Sequence, residues 1–230
     1  MDKKRLFYEN FSDRFDEEMN KYDLNKRLHI IFEKLLISGE IAGKKILDIG
    51  CGTGWFSKRA AQLGADVFSV DIGILLLKKV SQKCNSKIMV SDLTSLGIKD
   101  EMFDYVLATE VIEHVINPKV ALNEISKVLK KEGILLITVP NRIWYFSAYF
   151  ANLFKIRKYE GYENWVGYYQ LQKWLKEMGY EVETIFGFHL FPFVFPFLNP
   201  LLNKLDSFSR YYSPLMLNIA AKCKKIAVDL

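Results

Sequence analysis

The chain has 230 residues, half of them hydrophobic, and a formal net charge of +5. That is long enough to bury one α/β core and too apolar for a disordered polymer. The mild positive charge suits solubility, an anionic substrate or a membrane surface equally. Three scattered cysteines, Cys51, Cys84 and Cys223, form neither a disulfide framework nor a metal-ligand spacing. Met1-Asp2-Lys3-Lys4-Arg5 has no apolar signal core behind its charges, so a cytoplasmic location is expected.

In chain order, residues before about Gly43 read as two amphipathic helices. Phe11, Phe15, Met19 and Tyr22 make one apolar stripe, and Leu28, Ile31, Phe32, Leu35 and Leu36 another. Strands are expected at 45–49, 66–71, 87–91, 103–109, 133–139, 181–187 and 216–223, and helices at 54–63, 73–83, 118–130 and 168–178. Asn117-Pro118 starts the third of these helices, and lysines followed by Gly133 suit its end. The link from Thr94 to Glu101 is too short for a full helix. Alternating apolar strands and helices predict a mostly parallel sheet covered on both faces.

The chemistry concentrates in Lys45-Ile46-Leu47-Asp48-Ile49-Gly50-Cys51-Gly52-Thr53-Gly54, a buried strand running into a glycine turn and a helix. Glycine lets a ligand lie directly on backbone. Asp71, ending the next strand, is placed to accept hydrogen bonds from ribose hydroxyls. A dinucleotide site would carry G-x-G-x-x-G, but Trp55 stands where its third glycine belongs. This disfavours a nicotinamide-dependent dehydrogenase.

Four further segments follow in order. They are Val70-Asp71-Ile72, Val90-Ser91-Asp92-Leu93, the run from Phe103 through Thr109-Glu110-Val111-Ile112-Glu113-His114 to Val115, and Gly133 to Asn141. Together with the glycine turn, the chain from Lys44 to Asn141 resembles the class I S-adenosylmethionine (SAM)-dependent methyltransferases. Within these it is most similar to the ubiquinone-biosynthesis O-methyltransferase group of small-molecule enzymes. The resemblance implies a Rossmann-like seven-stranded sheet with one antiparallel strand. It implies a single methyltransferase domain over 1–230 with an N-terminal helical lid over 1–43, in which Tyr8 and Arg14 turn inward. It implies SAM as cofactor and S-adenosylhomocysteine as product.

By matched position, Asp48, Gly50, Gly52 and Gly54 surround the methionine and ribose, and Asp71 holds the ribose. Ile72, Asp92 and Leu93 meet the adenine, and Thr109 and Glu110 lie near the methionine amino group. His114, beside Glu113, is the candidate base for an acceptor hydroxyl, with His189 a lesser one. Thr109-Glu110-Val111-Ile112 offers no clustered Asp and Asn ligands, so no metal is expected.

The segments 141–167 and 189–214 read as aromatic cap inserts. Their aromatics fit a cap's own core, a pocket for a hydrophobic or lipid-like acceptor, a peripheral membrane contact through 189–214, or a subunit interface. The second is too short and proline-rich to span a bilayer, which takes roughly 20 mainly apolar residues. No basic stripe with interleaved aromatics appears outside the cap, so nucleic acid is not the expected acceptor. A non-catalytic SAM-binding or membrane-docking module is the alternative from another class.

Overall fold

The computed structural model describes residues 15–36, 40–147, 163–190, 206 and 212–226. Its helices are α1 (Phe15–Glu18), α2 (Lys21–His29, continued by a wider turn over Ile30–Leu35), α3 (Trp55–Gln62), α4 (Ile74–Lys83), α5 (Pro118–Val128) and α6 (Tyr168–Glu177). Its strands are β1 (Lys45–Ile49), β2 (Asp66–Asp71), β3 (Lys87–Val90), β4 (Phe103–Thr109), β5 (Leu129–Pro140), β6 (Tyr180–Phe188) and β7 (Asn218–Lys225). They form one seven-stranded sheet in the order β3-β2-β1-β4-β5-β7-β6, in which β7 runs antiparallel to both neighbours.

The alternation of each strand sends its side chains to two cores. Leu47, Ile49, Val106, Ala108, Leu135 and Ile137 face one core, with Ala121, Leu122 and Ile125 of α5 and Leu171 and Leu175 of α6. Ile46, Tyr105, Leu107 and Leu136 face the other, with Phe56 and Ala60 of α3 and Ile31, Phe32 and Leu35 beyond α2. The second apolar stripe of the N-terminal region thus packs as expected. No helix among the described residues is long and apolar enough to cross a membrane.

Most boundaries fall within one residue of expectation, and two places differ by more. Helix α5 ends at Val128, not at 130, and Leu129 to Lys131 already belong to β5. Leu129 pairs with Phe103, and Lys130 Nζ reaches Asp104 Oδ1 at 2.7 Å, so the lysines serve the sheet and not a helix end. Gly133 lies within the strand, where a Cβ would come within 2.8 Å of the Leu129 side chain. The last strand starts at Asn218, two residues late, because Ser213–Leu215 form a 3₁₀ turn and Leu217 N donates to His189 O at 2.7 Å. Between β3 and β4 no helix forms, as the short link required.

Candidate active site

The strand order makes β1 and β4 the switch point. From β1 the chain runs outward to β2 and β3, and from β4 it runs the other way. Ligands of open α/β sheets bind in the crevice this opens at the strands' carboxyl ends. The glycine turn follows β1 there. The amides of Gly50 and Cys51 both donate to Val70 O, at 2.8 and 3.1 Å, which pins the turn to the end of β2. Gly50, Gly52 and Gly54 all take positive φ. Cys51 is buried, and burial drives its thiol pKa well up, which suits a packing residue and not a nucleophile.

Asp71 closes the next strand. Its Oδ2 accepts from Gly52 N at 3.0 Å and its Oδ1 from Gly73 N at 2.9 Å. A carboxylate has about four acceptor positions, so two amides do not exhaust it. Ile72 beside it is half-buried. Further along the same edge Leu93 is buried and Asp92 exposed. Asp92 Oδ1 accepts from the amide and hydroxyl of Thr94, at 2.7 and 2.6 Å, and so also turns the chain.

Asp48 is fully buried on β1. Ser57 Oγ lies 2.5 Å from its Oδ2, Ser69 Oγ lies 2.7 Å from Ser57, and Ser86 Oγ lies 2.6 Å from Ser69 and donates to Val67 O at 3.1 Å. These are four hydrogen bonds for three hydroxyl hydrogens. With Asp48 ionised, Ser57 Oγ donates to it and one contact of the chain lacks a hydrogen; a proton on Asp48 lets Ser57 turn its hydrogen to Ser69 and fills all four. The electrostatics agree: burial, opposed by Ser57 and reinforced by the charge of Asp71, pushes the Asp48 carboxyl up to about 7.

Because the folded state holds this proton more tightly than the unfolded chain, its stabilising contribution is complete below the ordinary carboxylate pKa. It is lost as pH rises through about 7. Asp48→Asn keeps a donor toward Ser57 and cannot ionise. Thermal melts from pH 4 to 8 should fall less steeply for this variant than for the parent; parallel profiles would mean Asp48 carries no such proton.

Past β4 lies an acidic loop. Glu110 sits at φ 50, its amide donates to Thr138 O at 2.9 Å, and its Oε2 accepts from Asn218 Nδ2 at 3.1 Å. Burial pushes its carboxyl up to about 7 against the pull of Arg27, and burial with the charge of Glu110 raises Glu113 well above the ordinary carboxylate range. Glu113 is 2% exposed, and His114 Nε2 lies 3.7 Å from its Oε1. Thr109 is buried at the strand end. Val111 meets the glycine turn: a Cβ on Gly50 would lie 2.2 Å from Val111 Cγ2.

The N-terminal helices cover both halves of this edge. Over the glycine turn, Phe15 approaches Gly52, and Asp16 Oδ1 accepts from Thr53 Oγ1 at 2.5 Å and Trp55 Nε1 at 3.0 Å. Lys83 pairs with Asp16 Oδ2 at 2.6 Å and stands 4.5 Å over the Trp55 ring. Over the acidic loop, Arg27 of α2 pairs with Asp23 one turn earlier. Burial opposes its charge, but Asp23, Glu110 and Glu113 outweigh burial. None of Asp16, Asp23, Arg27, Val111 or Asn218 was singled out from the sequence. The i,i+4 spacing of Asp23 and Arg27 is visible there, but not which surface that helix face covers. Tyr8 and Arg14 lie outside the described residues, as does most of both inserts. Of the first insert's aromatics, Trp144 stacks on Phe146 and donates to Leu215 O, and Tyr145 meets Trp165 edge-on.

Among the described residues, the buried atoms Asp48 Oδ1, Glu110 Oε1, Glu113 Oε2 and Arg27 Nε have no hydrogen-bond partner. Acceptors and a guanidinium N–H at one strand edge suit an amino-acid zwitterion, and the Asp71 turn suits a ribose. The residues therefore fit SAM. No group of three or more His, Cys, Asp or Glu able to hold a metal occurs among the described residues.

The Methyltransferase domain family matches residues 47–137, which span the strand edge from Asp48 to His114. The ubiquinone biosynthesis O-methyltransferase of Glaesserella parasuis serovar 5 is 31% identical over 166 residues, 65% of this chain and 70% of that protein. The fold is shared with a chain from the complex of the Haloferax volcanii Trm112 methyltransferase activator and its methyltransferase. There the TM-score is 0.71 at 14% identity, covering 95% of this chain and 97% of that one. It is shared too with a SAM-dependent methyltransferase of Archaeoglobus fulgidus, at TM-score 0.64 and 18% identity over 97% of this chain and all (100%) of the other. With this sheet order, a site fitted to SAM and these relatives, the chain belongs to the class I SAM-dependent methyltransferases.

Proposed function

We propose that the chain methylates an oxygen of a small, hydrophobic or lipid-like acceptor, and that His114 takes the proton. The carrying observation is the placement of half-buried His114 against buried Glu113, in the loop whose Val111 touches Gly50. The O-methyltransferase relative supports oxygen as the target.

Asp71 binds the ribose hydroxyls, Ile72 and Leu93 pack on the adenine, and Asp92 meets its amino group. The carbonyls of Thr109 and Glu110 and the Asp48 carboxyl take the methionine ammonium, and Arg27 takes its carboxylate. Gly50, Gly52 and Gly54 give the backbone room to approach. The cofactor brings a methyl group already activated on a sulfonium. The residues' work is therefore orientation and exclusion of water. His114 would accept the proton of the acceptor hydroxyl. Glu113, whose Oε1 lies 3.7 Å from His114 Nε2, orients the imidazole. The N-terminal helices form the cover and, with 141–167 and 189–214, complete one domain.

Two experiments test this reading. Incubation with deuteromethyl SAM and a panel of phenols, hydroxylated lipids, amines and RNA should give labelled methyl ethers by mass spectrometry; label only on nitrogen, carbon or RNA would overturn the oxygen assignment. His114→Ala should lower kcat by about a hundredfold, within the usual range for general base catalysis, and leave the KM for SAM within about twofold. An unchanged kcat would reduce His114 to shaping the loop.

A further inference from the structure

We propose that His189 is a positioning residue that acts through Asp23 to hold the Arg27 guanidinium at the methionine end of the cofactor site. The inference rests on Arg27 as the partner of the cofactor carboxylate.

His189 follows β6 and is 2% exposed, so its imidazole cannot meet an acceptor as a base would. It sits at φ 58, a left-handed conformation that costs most residues energy and in which His is enriched. Strain of this kind persists where surrounding structure imposes it. Here its own carbonyl is held by Leu217 N at 2.7 Å, and the ring lies between Tyr22 and Phe188, at 5.6 and 5.1 Å between centroids. The result leaves Nε2 at ion-pair distance from Asp23 Oδ1, 3.2 Å away. The other Asp23 oxygen takes Arg27. Asp23 is thus a fork, anchored by His189 on one side and holding the guanidinium on the other.

The anchor matters because three carboxylates surround Arg27. A guanidinium drawn only by Glu110 and Glu113 would settle into the acidic loop. With Asp23 fixed, it stays beside them and keeps Nε without a partner. A second tie lies next to the first: Leu190 N donates to Asp206 Oδ1 at 3.0 Å, and Lys26 Nζ pairs with Asp206 Oδ2 at 3.1 Å. Helix α2 is therefore fastened to the chain after β6 at adjacent residues, and the connection ends on Arg27.

A double-mutant cycle read by calorimetry with S-adenosylhomocysteine tests this. Arg27→Met should lose about tenfold or more in affinity, as for a hydrogen bond to a charged group. His189→Gly, which accepts the left-handed backbone, should lose about three- to tenfold, and the double variant should bind no more weakly than Arg27→Met alone. His189→Gln, which returns a nitrogen near Nε2, should recover most of the affinity. In turnover, His189→Gly should raise the KM for SAM and leave kcat unchanged. Additive losses in the cycle, or parental affinity for His189→Gly beside a weakened Arg27→Met, would overturn the proposal. Parental affinity for Arg27→Met would instead remove Arg27 from the site, and the proposal with it. Should His189→Gly not fold, Asp23→Asn, nearly isosteric, carries the same comparison with the same two readings.

Discussion

Asp71→Ala is expected to weaken S-adenosylhomocysteine binding by about ten- to a hundredfold, the equivalent of about 1.5–3 kcal/mol for hydrogen bonds to a charged group. The carboxylate works in two directions. Toward the ligand, in the proposed site, it offers acceptors to the ribose. Toward the protein it holds Gly52 N and Gly73 N, one amide from the glycine turn and one from the entry to α4. Alanine removes both roles and leaves two amides unpaired in a buried place, so the turn should loosen as well. Asp71→Asn separates the two: its carbonyl oxygen can keep one amide, while its NH₂ opposes the other. Calorimetric titration beside a thermal melt should place it between the parent and Asp71→Ala on both measures. Parental affinity in a folded Asp71→Ala would take Asp71 out of the ribose site.

Gly50→Ala should be the more damaging change to the fold. Its φ is 64, and its Cβ would meet Val111 Cγ2 at 2.2 Å and Val111 Cβ at 2.8 Å. A left-handed alanine costs about 1–2 kcal/mol before any clash. Overpacking adds about 1–3 kcal/mol. The loops after β1 and β4 would have to part, and SAM-dependent turnover should fall below detection. Gly52→Ala supplies the contrast. Its Cβ would lie 3.4 Å from the Phe15 ring, an ordinary contact, so it carries the backbone cost alone. Melting temperatures should therefore order parent above Gly52→Ala above Gly50→Ala. Trimming the obstacle with Val111→Ala should recover part of the Gly50→Ala loss, because Cγ2 goes while Cβ stays. Equal melting of the two glycine variants would mean the Val111 contact does not constrain the turn.

The central sheet was legible because its information is local. Runs such as Ile46-Leu47 and Val106-Leu107-Ala108 are apolar at every position, as strands covered on both faces must be, and Gly50, Gly52 and Gly54 mark a turn no other residue tolerates as well. The end of α5 was not legible. Lys130 suits a helix terminus by its charge, and only the distant Asp104 on β4 recruits it into a strand. The N-terminal helices were legible as amphipathic stripes and, by resemblance, as a lid, but which of their residues reach the site was not. Asp16 meets Thr53 and Trp55, and Asp23 meets His189 across most of the chain, and such contacts exist only once the sheet has brought the segments together. The hydroxyl chain from Asp48 through Ser57 and Ser69 to Ser86 was hidden for the same reason: three unremarkable serines share one hydrogen-bond path because β1, α3, β2 and the link before β3 meet there.

The site residues themselves divide along this line. The roles proposed for Asp71 and the glycines rest on sequence spacing, and the fold puts these residues at the switch point. Glu110 and Glu113 were placed by resemblance, near the methionine amino group and beside the candidate base, but their raised proton affinity comes from burial, from Asp23 on Glu110 and from Glu110 on Glu113. Arg27 is the residue that the spacing could not select, since any basic residue of the first forty could have faced inward.

The most direct test is calorimetric titration of the full chain with S-adenosylhomocysteine and, separately, with NADH. One equivalent of S-adenosylhomocysteine should bind with micromolar affinity or better, and NADH should give no binding heat. A protein that is folded by its melt, binds NADH and ignores S-adenosylhomocysteine would contradict the assignment of this strand edge to SAM.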